Sequence, residues 1–172
     1  GEGLTGGLEG LVYPEIETID ALPEDLTGED VKFVTGLDFG FQNDPTAIVK
    51  IYMRGMNLYI DEVCYETKML NRTIAERLKA ERLDRTITVC DNAEQKSIIE
   101  LRGLGCNTIP CIKGKGSIRA GIQQVKQFNL FVTKRSTNVL DEADNYTYVK
   151  DTLTDPYTNE PVDDYNHAWD AI

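Results

Sequence analysis

The stretch from residue 31 to residue 65, VKFVTGLDFGFQNDPTAIVKIYMRGMNLYIDEVCY, decides the fold. Residues 31–40 read as a strand whose apolar run, Phe33-Val34-Thr35-Gly36-Leu37, delivers Asp38 to its end. Residues 46–53 are β-branched and apolar, Arg54-Gly55-Met56-Asn57 makes a turn, and residues 58–65 return with alternation. Three such segments in succession predict an antiparallel meander.

Downstream the pattern changes. Asn71 can cap a helix reaching about Leu83, with Ile74, Ala75 and Leu78 on one face and Arg72, Arg77, Lys79 and Arg82 on the other. Thr86-Ile87-Thr88-Val89-Cys90 is short and apolar, as a central parallel strand should be, and it ends in Asp91. Helix over 93–104, strand over 108–112, helix over 117–128, a brief strand over 130–133 and a helix from Ser136 or Thr137 to about Asn145 follow. Residues 146–161 read as a hairpin or loop, and Asp163 or Asp164 caps a last helix that carries His167 and Asp170. Three antiparallel strands feeding a parallel βα series is the order of the ribonuclease-H-like α/β fold, with a mixed five-stranded sheet flanked by helices. In such a sheet the first strand of the meander is central, so Asp38 and Asp91 are expected side by side.

The composition admits this. With 172 residues, 41% hydrophobic and 27% charged, the chain can bury one core. No apolar stretch approaches the ~20 residues of a membrane helix, which points to no membrane association. Residues 1–30, rich in glycine and acids and broken by Pro14 and Pro23, read as an extended linker or arm outside the core, leaving 31–172 as the folded domain. Cys64, Cys90, Cys106 and Cys111 lie in apolar runs without paired ligand spacing, which suits reduced core thiols in a cytoplasmic compartment. The net charge of −11 argues against a polyanionic partner until its distribution is read. Residues 68–135 carry 14 Lys and Arg against 6 Asp and Glu, so a positive surface is available between acidic ends.

Asp38, Asp91 and Asp170 are candidate metal ligands. Three converging carboxylates repel one another unless a cation lies between them, and all-oxygen ligands select hard ions, Mg²⁺ or Mn²⁺. Two ions about 4 Å apart can drive phosphodiester hydrolysis. Asp38, on the central strand, would bridge them, with Asp91 on one and Asp170 on the other. His167, one turn before Asp170, could bind metal, protonate the leaving oxygen or hold the phosphate. Lys113, Lys115 and Arg119, in Lys113-Gly114-Lys115-Gly116-Ser117-Ile118-Arg119 before a helix, are candidate DNA contacts, although the segment is not a Walker A loop. Glu62, Glu66 and Glu94 are secondary candidates, and Glu94 could instead complete a capping box. Each acid can equally be a cap: Asp38 of a turn at Gly40, Asp91 of the helix after it.

Several motifs carry a resemblance to a known family. Gly7-Leu8-Glu9-Gly10-Leu11-Val12-Tyr13-Pro14, Gly36-Leu37-Asp38-Phe39-Gly40 with Asp44-Pro45-Thr46-Ala47, Asp91-Asn92-Ala93-Glu94 and Asn166-His167-Ala168-Trp169-Asp170-Ala171 resemble the C-terminal nuclease domain of the large terminase subunit of tailed bacteriophages. The resemblance implies an endonuclease that cuts concatemeric double-stranded viral DNA during packaging with two Mg²⁺ or Mn²⁺ ions. Its triad maps onto Asp38, Asp91 and Asp170, with the family's frequent histidine at His167. It further implies an upstream ATPase motor domain absent from this chain, portal protein and small terminase subunit as partners, and the cytoplasm of the bacterial host as the place of action. Residues 1–30 would then be the interdomain connection. A resolvase- or transposase-like nuclease, an actin/hexokinase-like ATPase and a non-catalytic packaging or docking module are the competing readings.

Overall fold

The computed structural model describes residues 10–91, 93–111, 117–147 and 172, the side chains of 117–119 excepted. Its strands are β1 (Ile16–Ile19), β2 (Val31–Asp38), β3 (Thr46–Arg54), β4 (Asn57–Glu66), β5 (Thr88–Cys90), β6 (Thr108–Pro110) and β7 (Asn129–Thr133). Its helices are α1 (Asn71–Ala80), α2 (Gln95–Gly103), α3 (Ser117–Lys126) and α4 (Thr137–Asn145). The strands form one mixed sheet in the order β1-β7-β4-β3-β2-β5-β6.

The meander forms as its sequence predicts. Asp38 pairs with Ala47 across β2 and β3, and Ala47 with Tyr65 across β3 and β4. Gly55, at φ +60°, supplies the left-handed residue that the tight link between Arg54 and Asn57 needs. β5 then adds parallel to β2, and β6 parallel to β5.

Each face of the sheet buries its own core. On one, Ile74, Ala75 and Leu78 of α1 and Ile98 and Leu101 of α2 cover Leu37, Ile48, Cys64 and Cys90. On the other, Ile122 of α3 and Val139 and Ala143 of α4 cover Ala47, Val49, Ile60 and Val132. With helices on both faces, the central strands must be apolar on both, and each large aliphatic side chain buried contributes roughly 1.5–3 kcal/mol. Asn71 does not cap α1. Leu70 holds the cap position, and the Asn71 amide instead donates to Ser97 Oγ (3.1 Å) and Glu100 Oε1 (2.6 Å), fastening α1 to α2.

Two expectations are corrected. The sheet has seven strands rather than five, because β7 and β1 extend it beyond β4. Nor do residues 1–30, where described, stand outside the core: Leu11, Val12 and Tyr13 are buried, Val12 and Tyr13 with the sheet and with Tyr146 just after α4, and β1 pairs with β7. The glycines and acids around them hid a buried tripeptide and a four-residue strand whose partner lies more than a hundred residues away. β1 and β2 run in the same direction, so residues 20–30 must cross back over β7, β4 and β3 between them. That strap is held by Asp20–Lys134 (2.8 Å), Asp25–Arg54 (3.3 Å) and the burial of Leu26.

Candidate active site

Asp38 is the last residue of β2, and Asp91 immediately follows β5. Leu37 stands opposite Cys90 in the parallel register, so the next residue of each strand, Asp38 and Asp91, comes level at neighbouring strand ends. The Asp91 N–H donates to the Leu37 carbonyl at 3.3 Å, carrying the pairing one step beyond the strand. Leu37 and Cys90 face α1 and α2, so alternation directs both acids to the opposite face, that of Val34 and Ile51. Asp38 is 8% exposed and Asp91 half-buried. A cleft of about 130 Å³ opens beside them, lined by Val34, Ile51, Val89, Asp91, Cys111 and Ile172.

The Asp91 side chain also serves its own turn. Its Oδ1 accepts the Ala93 N–H at 3.1 Å and its carbonyl accepts the Glu94 N–H at 3.3 Å. Behind Asp38 the loop is closed tightly: Thr46 Oγ1 accepts the Gly40 N–H and donates to the Gly40 carbonyl, both at 3.2 Å. A Cβ at Gly40 would overlap the carbonyl oxygens of Asp44 and Pro45.

The secondary candidates do structural work instead. Glu62 reaches from β4 to the start of α4, accepting the N–H groups of Asn138 and Val139 (both 2.9 Å) and the Asn138 side-chain amide (2.8 Å). It caps α4, while the Ser136 hydroxyl, at the cap position, accepts no helix N–H and instead accepts the Glu62 N–H at 2.8 Å. Glu66 pairs with Arg77 at 3.0 Å on the surface. Glu94 is exposed at the N-cap of α2 and makes no side-chain cap bond, so the capping-box expectation fails: the helix starts at Gln95, too late for Glu94 to be its third residue.

Sequence reasoning passed over two buried acids. Asp61, 2% exposed, accepts Thr133 Oγ1 (2.7 Å) and the Arg135 guanidinium (2.8 and 2.5 Å), with Lys50 at 3.4 Å. Burial alone would raise its pKa, but the bonds from Arg135 and Thr133 outweigh it and hold the carboxyl below its ordinary value. Glu142 of α4, also buried, accepts the Tyr65 hydroxyl, and burial followed by that carboxylate pushes the Tyr65 pKa up. An acid inside an alternating strand was the available signal for Asp61, but its cation is distant in sequence. The cysteines are free thiols, and burial raises Cys90 to about 12 and Cys64 to about 11. Cys90 and Cys64 are therefore inert core thiols at neutral pH.

Among the described residues, no three His, Cys, Asp or Glu side chains converge in a way that could hold a metal ion. Asp38 and Asp91 are brought together as a pair. Asp170, His167, Lys113 and Lys115 lie outside the described residues, as does the side chain of Arg119, whose backbone belongs to α3.

A central strand ending in an acid, level with a second acid on its parallel neighbour and flanked by an antiparallel meander, defines a ribonuclease-H-like domain. Residues 38–172 match the family model described as the terminase RNase H-like domain, and the chain belongs to that family. It is 30% identical over 185 aligned residues to the PBSX phage terminase large subunit of Bacillus subtilis (strain 168), covering 94% of this chain and 42% of that protein's length. In fold it is similar to the g2p large terminase nuclease domain of bacteriophage SPP1 with bound Mn, at a TM-score of 0.78 and 21% identity over 94% of each chain. It is also similar to the P22 large terminase nuclease domain (TM-score 0.69, 11% identity, 95% of this chain and 89% of that one). The large terminase nuclease of thermophilic phage G20c with bound magnesium gives a TM-score of 0.60 at 17% identity, over 96% and 92% of the two chains. No helix among the described residues is long and apolar enough to cross a membrane.

Proposed function

We propose that this chain is the metal-dependent endonuclease domain of a phage large terminase, cutting double-stranded DNA at the Asp38–Asp91 site. The observation that carries the reading is the level placement of these two acids on one face, at the ends of adjacent parallel strands. Their oxygens are the hard donors that Mg²⁺ and Mn²⁺ prefer. The bound Mn and magnesium of the SPP1 and G20c domains support the same choice of ion.

Asp38, Asp91 and Asp170 are the residues that would hold the ions. When bound, two such ions supply charge stabilisation to the phosphodiester and a nucleophile at neutral pH. The chain itself fixes where they sit. Strand pairing sets the separation of Asp38 and Asp91, and the turn bonds of Asp91 lock its orientation. His167 holds or protonates a phosphate oxygen, and Lys113, Lys115 and Arg119 neutralise flanking phosphates. The natural context is a longer protein with an ATPase motor, working with portal and small subunit in the host cytoplasm.

Plasmid cleavage with Mg²⁺, Mn²⁺, Ca²⁺ or EDTA, by this chain and by Asp38→Asn, tests the reading. Cleavage is expected with Mg²⁺ or Mn²⁺ and only for the unaltered chain. Equal cutting by both proteins rejects the site, and no Mn²⁺ binding by either leaves a non-catalytic docking module.

A further inference from the structure

We infer that Phe41 and Leu70 form a rigid apolar wedge beside Asp38 that inserts into duplex DNA and unstacks a base step near the bond to be cut. The inference rests on the nuclease reading for its partner, but its geometry is independent of the metal site. Phe41 is 47% exposed and Leu70 63% exposed, on two loops that leave the same end of the sheet. The first loop starts directly after Asp38, and the second joins the end of β4 to α1.

Neither side chain is exposed on a slack segment. Gly40 admits no Cβ, and Thr46 Oγ1 clasps both the N–H and the carbonyl of Gly40, so the base of the first loop is closed next to Phe41. The Lys68 N–H donates to the Phe41 carbonyl, joining the two loops. Lys68 itself holds φ at +60°, a left-handed conformation that a non-glycine residue adopts only at some cost. Met69, between Lys68 and Leu70, is buried against α1's Ile74 cluster and anchors the second loop. A joined, anchored pair of loops that keeps two large apolar side chains in water gains nothing from them in the free protein.

The surroundings specify the occupant. Lys68 and Arg72 are exposed beside Leu70, and of the nearby acids Glu66 is paired with Arg77 while Asp44 lies in the loop of Phe41. Apolar tips flanked by cations fit a polyanion with an apolar interior, and Phe or Leu inserted at a base step is a recurrent way to kink a duplex. A wedge three residues after Asp38 would bend the backbone where the metal ligands stand, and it would favour flexible steps without reading base edges.

The test uses short duplexes carrying 2-aminopurine, bound by the full chain and by its Phe41→Ala and Leu70→Ala variants, each in an Asp38→Asn background so that nothing is cut. Binding should raise 2-aminopurine fluorescence, and Phe41→Ala should abolish most of the rise with Leu70→Ala intermediate. In the cutting-competent background, Phe41→Ala should slow cleavage of intact duplex about tenfold, with most of that loss recovered on a duplex containing a tandem mismatch, whose unstacking is already accomplished. Mn²⁺ affinity by calorimetry should be unchanged in Phe41→Ala. No fluorescence rise on DNA binding, or equal slowing on intact and mismatched DNA, overturns the wedge. If fluorescence rises and falls as stated while no variant cuts, the wedge stands and the nuclease assignment fails.

Discussion

Two groups of acids sit in this sheet and are handled in opposite ways. On β4, Asp61 and Glu62 are consumed by the fold: Asp61 by Arg135, Lys50 and Thr133, and Glu62 by the first N–H groups of α4. At the ends of β2 and β5, Asp38 and Asp91 are set against each other, two like charges brought level by a parallel register. A carboxylate that accepts bonds from several donors ties distant elements together, whereas neighbouring carboxylates at strand ends offer hard oxygen donors to a cation. The first arrangement is structural, and the second is the one we propose as the site.

The comparison breaks most visibly at Asp38. Asp38→Asn should reduce Mn²⁺-dependent plasmid cleavage at least about a hundredfold while leaving the urea midpoint unchanged or raised, since one of two facing charges is removed. Unaltered cleavage would return Asp38 to the structural group. Gly40→Ala should follow, lowering both stability, by about 2–4 kcal/mol in urea unfolding, and Mn²⁺ affinity, because a Cβ there meets two backbone oxygens in the loop behind Asp38. If calorimetry shows full Mn²⁺ affinity, the loop does not position the site.

On the structural side, Asp61→Asn should cost about 1–3 kcal/mol at neutral pH, with the exposed Arg135 free to take up water. Its pH dependence has a definite sign. The folded pKa lies below the unfolded one, so the contribution is complete above about pH 4 and fades as pH falls through the folded value. Wild-type and variant urea midpoints should therefore converge on acidification below about pH 4, and a constant gap would mean the carboxylate charge is not what stabilises. Glu62→Gln keeps one acceptor for α4 and should cost only about 1 kcal/mol, with DNA cleavage retained. Large loss of cleavage at unchanged stability would move Glu62 into the site. The exposed Asp20–Lys134 pair anchors the strap weakly, and Asp20→Asn should leave the urea midpoint unchanged within error.

Much of this was legible in the chain. The meander, the apolar β5 and the helices after it were readable because each is a local pattern: alternation, a β-branched run, or a 3.6-residue stripe. The pairing of Asp38 with Asp91 followed from element order, since a parallel strand added to the meander's first strand has few places to go. What escaped were partnerships between distant residues of weak local signal. Leu11-Val12-Tyr13 and β1 looked like linker because their glycine- and acid-rich surroundings outweighed three apolar residues. Glu62 stood as a secondary candidate, and nothing near it in sequence announces α4 as its partner.

The sequence by itself determined that this chain builds a mixed sheet with an acid at the end of each of two central strands, because hydrophobic periodicity and turn chemistry act over neighbouring residues. Only the tertiary structure decided which acids are taken up by the fold. A carboxylate's role depends on what stands within about 3 Å of it, and those neighbours, Arg135 for Asp61 and the α4 amides for Glu62, are brought in by folding from tens of residues away.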